Sequence, residues 1–206
     1  MLLLSVAVLS LVIAGSLSQP PPPEPTKPVL PATFEAEVGV EYHEEESQGV
    51  QFGDGYLLSD YEGNMAKEYY NLTEHEVSRF RHVMYLQRYD MERVYEVNSQ
   101  EPTDCHSHNV TGHLPDFWGF VKDADYAGQR TFHERQLDCW VQRLSFGVEL
   151  EVCTDAEEQE NRPILFRRHT PEIEVFMEFR TFNSTQPTAS SFVVPPECQE
   201  PSPTDL

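Results

Sequence analysis

From Phe34 to Tyr42 the chain reads Phe-Glu-Ala-Glu-Val-Gly-Val-Glu-Tyr, apolar and polar by turns, with Gly39 the one neutral residue on the polar side. Successive side chains point to opposite faces only in a β-strand, so this is a strand with one buried face and one acidic face open to water. The same period returns near the end, where Ile173, Val175, Met177 and Phe179 share one side against Glu174, Glu178 and Arg180. Between them, Tyr56 to Ser59 and Ala66 to Tyr70 flank Asp60-Tyr61-Glu62-Gly63-Asn64, a hairpin turn with Gly63 at the expected positive φ. Val83 to Tyr89 and Val94 to Val97 flank a polar turn at Asp90 to Arg93. Thr131 to Leu144 and Val148 to Cys153 bracket Ser145-Phe146-Gly147, a three-residue hairpin loop closed by glycine. Ile164 to Arg168 leads into a turn at His169 to Glu172. About nine or ten strands at this spacing predict an antiparallel meander. Helix signals are few: Thr73-Glu74-His75-Glu76 opens like a cap, and Glu76 to Met84 could make two turns, although its apolar residues also suit a strand. Leu114 to Phe120 reads as a loop or short turn crowded with aromatics.

The ends have a different composition. Leu2 to Gly15 is uncharged and almost wholly apolar, and Ser16-Leu17-Ser18 puts small residues where a signal peptidase cuts. Residues 1–18 are therefore expected to be a secretory signal peptide, too short and wrongly flanked for an anchor. No later stretch approaches the roughly 18 apolar residues that span a bilayer. Residues 19–32 hold Pro20 to Pro23 in a row with Pro25, Pro28 and Pro31 behind, which predicts an extended polyproline linker that buries nothing. Residues 199–206 are polar, acidic and proline-rich, and a disordered tail is expected there. What lies between, 33–198, is enough for one domain with a real core. With 14 basic against 35 acidic residues the net charge is −21. Such a surface repels nucleic acid and anionic headgroups, and its first use is solubility.

Cys105, Cys139, Cys153 and Cys198 form an even set, read in an oxidising compartment as two disulfides with three open connectivities. Cys139 and Cys153 lie equally far from Phe146, the centre of the proposed loop. A hairpin of that register sets them directly opposite, at a separation a disulfide can bridge. Trp140, Leu144, Val148, Leu150 and Val152 then share the other face. Asn71, Asn109 and Asn183 each open an Asn-X-Thr sequon, expected to lie on the surface and carry glycans.

Chemistry is hard to find. His106, His108 and His113 could together hold zinc, but no motif of fixed ligand spacing supports them, and no metal or cofactor is expected. No serine sits in a nucleophile elbow, the cysteines serve as disulfides, and no glycine-rich loop precedes a helix. The chain is not expected to be an enzyme. Twelve Phe, nine Tyr and two Trp suffice either for an ordinary core or for lining a concavity.

Several segments, in order, resemble the extracellular ependymin-related and LolA-like proteins. They are Phe34 to Tyr42, the Leu57-Leu58-Ser59-Asp60-Tyr61-Glu62-Gly63-Asn64 turn, Val94 to Val97 running into Cys105, Leu137-Asp138-Cys139-Trp140, and Phe192-Val193-Val194-Pro195-Pro196-Glu197-Cys198. The resemblance spans Phe34 to Cys198. It lacks a more N-terminal family cysteine, and Cys153 is an addition. It implies a mainly β fold, a curved half-open antiparallel barrel with one or two short helices and a hydrophobic cavity, without catalytic residues. It also implies Cys105–Cys198, the pair left when Cys139 is joined to Cys153. Val38, Val40, Trp118, Phe120, Val175, Met177 and Phe179 are the candidate cavity wall. The function expected is that of a secreted, extracellular glycoprotein binding a lipid or fatty acid. The alternative is a protein acting through its surface, in calcium-responsive signalling or extracellular matrix contacts, with no cavity ligand.

Overall fold

The computed structural model describes residues 24–44, 49–74, 79–98, 104–156 and 162–199. The expected signal peptide, the first residues of the linker and the tail beyond Gln199 lie outside them. Among the described residues eleven strands make one antiparallel sheet. These are β1 (Phe34–Glu44), β2 (Val50–Asp60), β3 (Met65–Glu74), β4 (Arg79–Arg88), β5 (Arg93–Asn98), β6 (Asp104–Asn109), β7 (Asp125–Phe132), β8 (Arg135–Arg143), β9 (Glu149–Asp155), β10 (Pro163–His169) and β11 (Ile173–Asn183). Their spatial order is β6-β5-β4-β3-β2-β1-β11-β10-β9-β8-β7. Every neighbour is also a sequence neighbour except β1 and β11, which join the two halves with Val38 opposite Phe179 and Val40 opposite Met177. Strands β6 and β7 are left as unpaired edges, and residues 110–124 run between them as a strap. This is the curved, half-open antiparallel barrel.

Period two sets the concave face. In β1 Phe34, Ala36, Val38 and Val40 are buried there, and in β11 Met177 and Phe179 join them. The strap crosses this face. Its Trp118 packs against Phe34 and Phe179, both at 5.7 Å between ring centroids, and against Phe117 at 4.7 Å. The convex face has two smaller cores. Leu137, Cys139, Cys153 and Ile164 pack with Phe132 on one wing. On the other, the C-terminal segment brings Phe192 onto Leu86 and Tyr95, and Arg88 Nη1 donates to the Phe192 carbonyl at 2.8 Å.

Several expectations need correction. Eleven strands replace nine or ten, because Thr131 to Leu144 is not one strand. It breaks at His133 and Glu134, whose φ values of 45° and 68° make a two-residue turn without glycine or asparagine. Glu76 to Met84 is not a helix over its described part, since β4 begins at Arg79. Cys105, His106 and His108 lie on edge strand β6. In the Asp60–Asn64 turn the positive φ belongs to Asn64, at 56°. Gly63 is needed for a different reason: a Cβ there would strike the Asp60 carboxylate, which accepts the Gly63 N–H at 3.0 Å. The linker does bury something. Pro28 is buried, Leu30 packs on the core, and Lys27 Nζ donates to the Lys122 carbonyl of the strap at 3.0 Å. The short helical elements are 3-10 turns, the longest being Gly119–Asp123 in the strap.

Candidate functional site

The strap fills only part of the concave face. Beside it a hollow of about 720 Å³ remains, walled by Val40, Leu57, Leu72, Val83, Leu150, Phe166, Val175 and Met177. Register explains the assembly. Val40 lies opposite Gly53, Gly53 opposite Leu72, and Leu72 opposite Arg81, so one row of inward side chains runs from β1 to β4. On the other wing Met177 lies opposite Phe166, and Phe166 opposite Val152. Gly55 is part of the same wall. A Cβ there would come within 2.5 Å of the Tyr70 ring, so glycine is what lets that ring lie flat over β2.

Lys67, His108 and Asp116 also line the hollow, and two further sets of polar groups stand beside its apolar wall. Glu68, inward on β3, accepts the Tyr70 hydroxyl at 2.7 Å. Burial pushes the Glu68 carboxyl above the usual range, partly offset by that hydrogen bond and by the Arg168 charge. Burial, then the Glu68 charge, drives the Tyr70 phenol well above its ordinary value. Tyr85 is raised by burial and by Glu96. The second set is cationic: Arg81 on β4 and Arg168 on β10 also line the hollow. Both act on the Tyr42 phenol of β1, lowering a pKa that burial and Glu44 raise.

Of the seven candidate wall residues, Val40, Val175 and Met177 line the hollow. Val38 and Phe179 belong to the packed core under the strap, and Trp118 and Phe120 are strap residues packed into that core. Sequence reading missed Glu68, Tyr70, Arg81, Tyr85 and Arg168. A signal existed, because Arg81 has the strand parity of Val83 and Tyr85, and Arg168 that of Phe166.

Disulfides join Cys105 to Cys198, tying edge strand β6 to the C-terminal segment, and Cys139 to Cys153, across β8 and β9. Asn71, Asn109 and Asn183 are all exposed. Asn71 sits within β3, its side-chain oxygen accepting the Tyr69 hydroxyl at 2.9 Å, while Asn109 and Asn183 end β6 and β11. The three candidate histidines are not gathered as ligands; His113 Nδ1 lies 3.2 Å from Asn64 Oδ1. The group of potential ligands found among the described residues is Cys139, Glu151 and Cys153, whose two sulfurs are bonded to each other.

A second hollow, about 540 Å³, lies on the convex face against the β7 end of the sheet. Its arginines are each paired with a carboxylate: Arg130 with Glu151 at 2.8 Å, Arg180 with Asp54, and Arg167 with Glu174. The concave hollow is larger, and among the described residues its two arginines, Arg81 and Arg168, make no such ion pair.

No protein-family model matches the chain, and no curated protein matches it. Solved structures do. An uncharacterized conserved protein from Thermus thermophilus is 13% identical over 82% of this chain and 89% of its own, with TM-score 0.47. MucB of Pseudomonas aeruginosa, in complex with MucA, is 14% identical over 81% of this chain and 57% of its own, with TM-score 0.38. LprF from Mycobacterium bovis is 9% identical over 74% of this chain and 89% of its own, also with TM-score 0.38. At such low identities and TM-scores these likenesses carry nothing about function.

Proposed function

We propose that this chain is a secreted, extracellular glycoprotein that holds a lipid or fatty acid in the concave hollow and performs no catalysis on it. The observation that supports this most is the hollow itself: about 720 Å³, within the roughly 300–1,000 Å³ of small-molecule sites, with apolar side chains from both wings around it. The strap's packed aromatics give it a floor, so the space persists without a ligand to prop it open. The ependymin-related and LolA-like resemblance leads to the same reading. Secretion rests on the apolar leader and the two disulfides, and glycosylation on three exposed sequon asparagines.

The test is native mass spectrometry of protein secreted from eukaryotic cells and purified without detergent. A stoichiometric amphiphile, released on denaturation, is the expected result. Protein that emerges clean and fails to take up added fatty acid or phospholipid would overturn the carrier reading.

A further inference from the structure

We infer that the ligand is an amphiphile with an anionic head group, gripped at the mouth of the hollow by Arg81 and Arg168. The inference rests on the carrier function proposed above and specifies its ligand class. Position is the first support. Arg81 comes from β4 on one wing and Arg168 from β10 on the other, yet both line the one hollow and both charges lower the pKa of Tyr42 on central strand β1. The register places them at the end away from Phe34. Arg81 aligns with Leu72, and Arg168 aligns with Val175, which in turn faces Tyr42. Phe34 and Phe182, at the other end, are packed against the strap aromatics. Apolar surface therefore lies on one side of the two cations, and Arg168 is exposed on the other.

Pairing is the second support. In a chain with 35 acidic and 14 basic residues, arginines readily find carboxylates. Arg88, Arg130, Arg135, Arg143, Arg167 and Arg180 each lie against one. Among the described residues the Arg168 side chain makes no hydrogen bond or ion pair, and the Arg81 side chain has only a 3.4 Å hydrogen bond to Asn98 Oδ1. Of the acids around them, Glu68 takes the Tyr70 hydroxyl, while Glu44 and Glu96 act on the Tyr42 and Tyr85 phenols. A guanidinium fork beside an apolar cavity, with its donors unspent, fits a carboxylate or phosphate oxygen pair.

Displacement of a solvatochromic probe by oleate, oleyl alcohol and oleoyl lysophosphatidate tests this with one acyl chain and three heads. Wild-type protein should bind oleate, lysophosphatidate or both at least tenfold tighter than the alcohol, and their order names the head group as carboxylate or phosphate. The double variant Arg81→Gln/Arg168→Gln should bring the anions down to the alcohol's affinity while the alcohol itself still binds, which also shows that the variant is folded. Glu68→Gln should tighten the anions alone. Equal binding of all three by wild type, or an unchanged preference in the double variant, overturns the anionic head group and leaves the carrier function standing. Failure of every ligand to bind wild type overturns the carrier function, and this inference with it.

Discussion

If the strap is the permanent floor of the hollow, Trp118→Ala must be expensive. Trp118 is 3% exposed and touches the rings of Phe34, Phe117, Phe166, Phe179 and Phe182. Truncating a buried Trp to Ala costs about 3–5 kcal/mol, and ring pairs of this kind push toward the upper end. One term acts the other way: the indole Nε1 has no hydrogen-bond partner among the described residues, and deleting an orphaned buried donor recovers about 1–3 kcal/mol. The net expected loss is about 3 kcal/mol, a large share of the roughly 5–15 kcal/mol that holds a domain together. Urea unfolding followed by far-UV circular dichroism, with disulfides intact, measures it. With m of about 1–3 kcal/mol/M the midpoint should fall by about 1–3 M. Trp118→Phe, which keeps a ring and removes the orphan, should cost less than about 1 kcal/mol. A loss below about 1 kcal/mol for Trp118→Ala would refute the reasoning, because a segment that loosely docked is a lid and not a floor.

Glu68→Gln should stabilise the protein at neutral pH. Burial raises the Glu68 pKa in the fold, so the ionised form is the disfavoured one, and wild type loses stability as pH rises through the unfolded value of about 4.3 toward the folded one; the two proteins should converge in denaturation midpoint below that range. Tyr126 is raised to about 12 by its hydrogen bond to Asp138, donated at 2.7 Å. That contribution is present below about pH 10 and lost as pH climbs through the folded value. Because Tyr126 is part-exposed, it is worth only about 0.5 kcal/mol, and Tyr126→Phe should flatten the alkaline end of the stability profile. Replacing Cys105 and Cys198 together by alanine opens a loop with a sequence separation of 93, against 14 for Cys139 and Cys153. Chain entropy puts the losses at about 4–5 and about 3 kcal/mol. Thermal unfolding should rank them in that order.

The strands were legible because burial on one face imposes period two. Phe34 to Tyr42 and Ile173 to Phe179 show it plainly, and both became the centre of the sheet. Their pairing with each other was not legible, since no local signal joins residues so far apart. The turn at His133 and Glu134 was hidden because its positive φ values fall on residues that seldom adopt them. At the site, parity alone could tell which side chains face inward. It could not tell that the strap would cover Val38 and Phe179, nor that Trp118 and Phe120 would be the strap residues that cover them, so all four were grouped with Val40, Val175 and Met177. The inward charges at Glu68, Arg81 and Arg168 break the apolar pattern of their strands. Such breaks are where a sequence departs from what folding alone would choose.

Calorimetric titration of oleate into the wild-type protein and into Val175→Trp tests the occupied hollow most directly. Val175 lines the space and is only partly buried, so an indole there should crowd the hollow without breaking the sheet. Stoichiometric binding to wild type, clearly weakened in Val175→Trp at an unchanged unfolding midpoint, is the expected result. Equal affinity in the two proteins, or no binding in wild type, would contradict it.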